Sequence, residues 1–171
     1  YIASYLPFYL QKNNMNKKVL IIGSGGGESI LKSILAGFNN IDAVEVNSDV
    51  ISLMKNEFSQ FSGNIYNRNN LNIFNSDGRN YIKQCSEKYS LIELSLIDAY
   101  NTSASGVYAL NETYLYTTES FKDYYSHLAE NGMLSITRWI TTPPRDTFKI
   151  FNTAIESLGM LKIQNRESHF V

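Results

Sequence analysis

The sequence predicts an α/β fold: a doubly wound, mostly parallel sheet with helices on both faces. Three observations predict it. Short apolar runs alternate with amphipathic, helix-like stretches along the chain, and strand–helix units in that order leave few topologies other than right-handed parallel crossovers. The first apolar run ends in a glycine loop, Val19-Leu-Ile-Ile-Gly23-Ser-Gly25-Gly-Gly27-Glu28. Glycines there let the backbone turn sharply and approach a ligand, since no Cβ blocks positive φ. Acids follow the first four expected strands, at Glu28, Glu45, Asp77 and Asp98, and in such a sheet those positions share one rim, the usual place for a ligand.

The elements follow in order. Residues 19–23 read as a buried strand from their continuous apolar run. Residues 28–36 read as a short helix with Ile30, Leu31, Ile34 and Leu35 inward, stopped by Gly37. A second strand spans 41–46, and Asn47, Ser48 and Asp49 can cap a helix carrying Val50, Ile51, Leu53, Met54 and Phe58. A third strand at 71–74 leads through Asp77-Gly78 into a helix at 79–86. A long fourth strand covers 89–97. Residues 98–117 show no period, and a stretch of about twenty such residues is usually functional or mobile. A helix is expected over 118–130, ended by Asn131-Gly132, then a fifth strand at 133–139. Pro143-Pro144 suits the start of a helix running to about 158, and 161–171 reads as the beginning of a sixth strand.

Length and composition narrow the function classes. With 171 residues, 43% hydrophobic and 18% charged, the chain is ordinarily globular and large enough for a single core. A net charge of −1 without a Lys/Arg block argues against a nucleic-acid surface. No apolar run reaches the roughly 18 residues needed to cross a bilayer, and no signal-peptide pattern is present. The single Cys85 fits a reducing, cytoplasmic setting. His127 and His169 stand apart from any Cys/His cluster, so no metal site is expected.

Residues 1–17 are read as an N-terminal segment and 18–171 as a nucleoside-binding catalytic domain. The aromatic start, Tyr1-Ile-Ala-Ser-Tyr-Leu-Pro-Phe-Tyr-Leu10, suits a segment packed on the core or a junction to a missing region. It also offers a surface for a homodimer. With Tyr1 first and Ser168-His-Phe-Val171 last, the chain reads as a piece of a longer protein.

The acids define the chemistry expected at the rim. A pyrophosphate would be repelled by Glu28, so the loop suits a nucleoside whose tail is cationic. A dinucleotide loop of the form Gly-x-Gly-x-x-Gly would need glycine at 28; Gly23, Gly25 and Gly27 instead give Gly-x-Gly-x-Gly, the spacing associated with S-adenosylmethionine-type donors. Glu45 lies 22 residues after Gly23, the spacing at which an acid accepts from ribose hydroxyls, against the alternative of a solvated or capping acid. Asp77-Gly78 would set a carboxylate beside adenine, against the alternative of an Asp-Gly turn. Glu28 and Asp49 would be favoured near helix N-termini without any function.

Gly25-Gly-Gly-Glu28, Glu45-Val-Asn47, Asp77-Gly-Arg79, Tyr89-Ser-Leu-Ile92, Asp98 and Leu115-Tyr-Thr-Thr-Glu-Ser-Phe121 together resemble the polyamine aminopropyltransferases, the spermidine synthase family. The likeness covers about residues 18–158 and is nearest to spermidine synthase-like domains of larger, often membrane-linked bacterial proteins. It implies a Rossmann-like sheet of the class I methyltransferase type, whose last strand can be missing here. It also implies a donor that is S-adenosylmethionine or its decarboxylated form, used as a co-substrate without metal. Glu45 would hold ribose, Asp77 adenine and Glu28 the tail amine.

One departure bears on the reaction. The family carries Asp-x-x-Asp after the fourth strand, and the first acid helps activate the attacking amine; here the stretch is Ser95-Leu-Ile-Asp98. An amine with a pKa near ~10.4 arrives protonated and must lose that proton. Asp98, or a tyrosine such as Tyr100 or Tyr108, would then carry that work, making Asp98, Ser95 and Tyr100 the catalytic candidates. The loop tyrosines can close over a sulfonium by cation–π attraction or simply pack the loop, the reading preferred for Tyr114 and Tyr116. Arg138-Trp139 is read as sheet cover, Cys85 as incidental and His127 as a solvated or packed mid-helix residue. The expected function is aminopropyl (or methyl) transfer to a small acceptor such as a polyamine. The rivals are an S-adenosylmethionine-dependent methyltransferase and a non-catalytic nucleoside-binding module of a larger protein. On any of these readings the domain is expected in the cytoplasm, where it can belong to a membrane-linked parent chain.

Overall fold

The computed structural model describes residues 3–14, 17–95, 114–138 and 142–170, with Ser95 described by its backbone alone. Five strands, β1 (Lys18–Ile22), β2 (Asn40–Glu45), β3 (Leu71–Asn75), β4 (Tyr89–Ser95) and β5 (Leu128–Thr137), lie in the order β3-β2-β1-β4-β5. Every pairing is parallel. Six helices accompany them among the described residues: α1 (Leu6–Gln11), α2 (Glu28–Leu35), α3 (Ser48–Lys55), α4 (Gly78–Gln84), α5 (Thr118–Ser126) and α6 (Arg145–Met160). The strand order reverses between β1 and β4, which opens a crevice at their C-terminal ends.

Both faces of the central strands are covered, which is why β1 reads as a continuous apolar run rather than an alternating one. Val19, Ile21, Ile41, Ala43 and Leu91 face a core shared with Phe8 of α1, Ile30 of α2 and Met54 of α3. Leu20, Ile22, Val44, Ile92 and Leu94 face the other way, onto Ile82 of α4 and Tyr124 of α5. Each such fully buried aliphatic side chain contributes about 1.5–3 kcal/mol. At the N-terminal edge of the sheet, buried Asp42 accepts from Tyr89 Oη at 2.9 Å and Asn72 Nδ2 at 2.8 Å and pairs with Lys18 at 3.1 Å. That edge is tied shut by side chains, whereas the opposite edge carries the glycine loop.

Helix starts follow the expected caps. Asn47 accepts from the Asp49 N–H at 2.9 Å, and Asp77 Oδ1 accepts from Arg79 and Asn80 N–H, each at 3.0 Å. Thr117 does the same for Ser120 at 3.3 Å, so the end of the 98–117 stretch belongs to the start of α5. Leu115 is buried there, Tyr116 lies under the Arg138 guanidinium and Tyr114 is exposed.

Three expectations are corrected. The helix expected to reach residue 130 stops at Ser126, because His127 ends it. The His127 N–H returns to Asp123 and Tyr124 carbonyls, and its ring bridges Asp123 O at 2.7 Å and Cys85 O at 2.8 Å. His127 is thus a helix cap tying α5 to the end of α4, not a mid-helix residue. Strand β5 begins at once, with Leu128 opposite Tyr89, and residues 129–132 bulge before Met133 pairs with Leu91. Asn131 takes φ +56 in that bulge, and a Cβ on Gly132 would crowd the Tyr89 and Ala129 carbonyls at 2.8 and 2.9 Å.

The sixth strand is absent among the described residues. Lys162 and Asn165 take left-handed φ values of 59° and 51°, which break an extended path. A 3-10 turn at Arg166–His169 then lays Phe170 on Phe151, ring centroids 4.9 Å apart. Finally, α2 turns a different face inward than its leucines suggested. Ile30, Ser29, Lys32 and Ser33 are buried, while Leu31 and Leu35 are exposed.

Candidate functional site

The site is built from the ends of β1, β2, β3 and β4. Ile22, the last residue of β1, pairs with Val44 on one side and Leu94 on the other, and Glu45 pairs with Asn75. Gly23, Glu45, Asp77 and Ser95 therefore follow from one level of the sheet.

Gly23, Gly25 and Gly27 take φ values of 79°, 47° and 88°, a region that side chains with Cβ occupy only at a cost of about 1–2 kcal/mol. Gly23 and Ser24 N–H both return to the Val44 carbonyl, at 2.8 and 3.2 Å, which folds the loop back over β2. Gly27 is the N-cap of α2, and a Cβ there would drive into the Ile65 side chain. At Gly25 and Gly26 nothing lies within 4 Å of where a Cβ would stand. The loop is packed at its helix end and open at its middle, where a ligand would meet the backbone.

Glu45 joins the loop to β2. It is buried, its Oε2 accepts the Gly25 N–H at 2.9 Å, and its Oε1 accepts the Asn47 N–H at 3.0 Å. Such charge-assisted bonds are roughly twice as strong as neutral ones. They fix the carboxylate, and each oxygen keeps a lone pair for a further donor such as a hydroxyl. Asn75 Nδ2 donates to the carbonyls of Glu45 and Val46 at 3.0 and 3.1 Å, holding the same turn from β3.

Tyr66 and Ser24 complete the loop's support; Ser24 lies inside the glycine motif, whereas the sequence offered no periodic or motif signal for Tyr66. The Tyr66 hydroxyl donates to Gly25 O at 2.5 Å and contacts Ser24 Oγ at 2.9 Å. Burial pushes the Tyr66 phenol up from its ordinary range, so it stays protonated and able to donate.

Asp77 caps α4 through Oδ1. Gly78 is required by packing, since a Cβ there would overlap the Ile22 side chain. Glu28 lies in the first turn of α2, largely exposed, with Oε1 2.7 Å from the ammonium of Lys32 one turn later. Ser95 ends β4 opposite Thr137. Asp98, Tyr100, Tyr108 and Trp139 lie outside the described residues. No group of three or more metal-ligating side chains occurs among the described residues, and no described helix is long and apolar enough to cross a membrane.

Glu93 is the other group that sequence reading passed over. It sits in β4, two residues before Ser95, with Ile21 and Ser135 as its strand neighbours. It is fully buried, and neither carboxyl oxygen has a hydrogen-bond partner among the described residues. Burial raises its pKa from 4.5 to about 7; the Ser135 hydroxyl and the Lys32 charge temper that rise, and the Glu28 charge adds to it.

A family model described as a spermine/spermidine synthase domain matches residues 5–142. The polyamine aminopropyltransferase of Buchnera aphidicola subsp. Acyrthosiphon pisum (strain Tuc7) is 33% identical over 119 residues, 68% of this chain and 38% of that protein. The fold is also that of spermidine synthase from Thermotoga maritima, with a TM-score of 0.64 at 22% identity, covering 91% of this chain and 47% of the other. A spermidine synthase crystallised with the transition-state analogue AdoDATO gives 0.62 at 20%, covering 91% and 46%. The chain spans less than half the length of each of these relatives.

Proposed function

We propose a function from a settled premise: the chain belongs to the spermine/spermidine synthase family. The rim binds decarboxylated S-adenosylmethionine as a donor co-substrate, and the protein transfers its aminopropyl group to an amine of the polyamine class. The observation that carries this reading is Glu45, a buried carboxylate pinned by the Gly25 and Asn47 amides with lone pairs left for two ribose hydroxyls. Asp77, fixed as a helix cap through Oδ1, meets the adenine amine, and Glu28 meets the amine of the donor's tail. A decarboxylated tail offers that carboxylate a cation with no competing anion, which favours it over S-adenosylmethionine itself.

Transfer is a displacement at the carbon bonded to the sulfonium. The protein's part is to hold donor and acceptor in line and to leave the attacking nitrogen neutral. Asp98 is the acid assigned to the acceptor amine, with Ser95 and Tyr100 as the other catalytic candidates. Serine at position 95 favours one second reading, a domain that binds the nucleoside without turning it over, because a hydroxyl alone neither binds a cation well nor removes its proton. Calorimetry with both donors, followed by turnover with putrescine and spermidine, separates these readings. Tighter binding of the decarboxylated donor and formation of a longer polyamine are expected. Equal affinity for both donors contradicts the assignment of Glu28, and binding without product supports the second reading.

A further inference from the structure

Lys32 is a buried cation with an exposed partner. Its ammonium lies 2.7 Å from Glu28 Oε1 and donates to Ser4 Oγ at 2.7 Å, yet the lysine side chain is 7% exposed and that of Glu28 is 66% exposed. A second acid, Glu93, lies on the face of the sheet that α2 covers. Leu91, two residues earlier and on the same side of β4, packs with Ile30 of α2. No ion pair joins Lys32 to Glu93, although each of Lys32 and Glu28 acts on Glu93 electrostatically. Among the described residues, the groups that bear on Glu93 are Lys32 and Glu28 from α2 and the Ser135 hydroxyl from β5; α1, which packs on β4, carries no charged side chain.

An ionised carboxylate buried without a partner is costly, so Glu93 is neutral at rest below neutral pH. The lysine stem is long and rotatable, and its charge already acts on Glu93, so one ammonium serves two carboxylates in turn. Glu28 thus holds Lys32, and Glu93 is an acid without a paired cation.

We propose that Lys32 is a switch shared by Glu28 and Glu93: a cationic ligand group that takes Glu28 sends Lys32 to Glu93, and Glu93 gives up its proton to solvent. The exchange balances. A neutral Glu93 and a Lys32–Glu28 pair become a Lys32–Glu93 pair and a ligand–Glu28 pair, with one proton released per ligand. This rests on the reading of Glu28 as the carboxylate for the donor's amine. It goes beyond that reading by coupling donor uptake to a proton at a residue that touches no ligand, which makes Glu93 a positioning residue.

The test is calorimetry on the full-length protein in buffers of different ionisation enthalpy. With decarboxylated S-adenosylmethionine at pH 6, wild type is expected to release about one proton, and its affinity to rise about tenfold per pH unit until Glu93 is ionised at rest. Glu93→Gln should bind without proton release. The adenosyl thioether lacking the aminopropyl tail should release none from wild type. Donor binding without proton release, or release that persists in Glu93→Gln, overturns the switch while leaving the donor site intact. A second measurement needs no ligand: in protein with labelled glutamate carboxyls, Glu28→Gln should lower the Glu93 midpoint by a unit or more, and the drop should vanish when Lys32→Met is added. An unchanged midpoint, or a drop that survives Lys32→Met, overturns the proposal even where no donor binds.

Discussion

Glu93 couples the protein's stability to pH in a direction opposite to most acids. Its folded-state pKa, raised to about 7 by burial, exceeds the unperturbed 4.5. The native state therefore holds the proton more tightly than the unfolded chain. The stabilisation is full below about pH 4.5 and is lost as pH rises through about 7. At 1.36 kcal/mol per unit, the difference amounts to about 3 kcal/mol. Urea unfolding at pH 5 and pH 8 should show that loss in wild type relative to Glu93→Gln; parallel pH profiles for the two proteins would refute it. Nothing in the sequence marks Glu93 as unusual. An acid inside a strand gives no sign of which face it takes, and the structure turns Glu93 to a buried face and leaves its oxygens unmatched. Glu45 is the reverse case, legible from its spacing after Gly23, while its bond to the Gly25 amide needed the folded loop to be seen.

At the level of elements, the glycine loop divides into two parts with different tolerances. Gly27 and Gly25 share positive φ, but only Gly27 has its Cβ direction filled, by Ile65 and Tyr66. Gly27→Ala should cost about 2–4 kcal/mol from backbone strain and overpacking together. Gly25→Ala should cost about 1–2 kcal/mol from backbone strain alone, and on the proposed function it should sharply weaken donor binding, since the new methyl enters the open space at the loop's middle. Denaturant melts paired with donor titration check this, and equal stability losses at the two positions would contradict it. The loop and the strand–helix alternation were readable because glycines and long apolar runs are local signals. The end of α5 was not, because His127 terminates it by reaching Cys85 just past α4, a contact 42 residues away in sequence. The expected strand after α6 failed for a similar reason. Its apolar residues alternate plausibly, but left-handed Lys162 and Asn165 turn the chain back onto Phe151. The inward face of α2 was misassigned because serines and a lysine join Ile30 on its buried side, where leucines were expected.

For the whole molecule, the strand order β3-β2-β1-β4-β5 sets the crevice beside β1 and gathers Gly25, Glu45 and Asp77 on one rim. That convergence was foreseeable from the order of the motifs, because parallel strands bring residues at their C-terminal ends together whatever their separation in sequence. The proposed role of Glu45 is to anchor an adenosyl donor through ribose while shaping the loop. Calorimetric titration of wild type and Glu45→Ala with decarboxylated S-adenosylmethionine tests this most directly. Loss of the charged acceptor should cost roughly 3 kcal/mol, weakening Kd more than a hundredfold while the fold persists. A Glu45→Ala protein that binds the donor as tightly as wild type would contradict the assignment of the site.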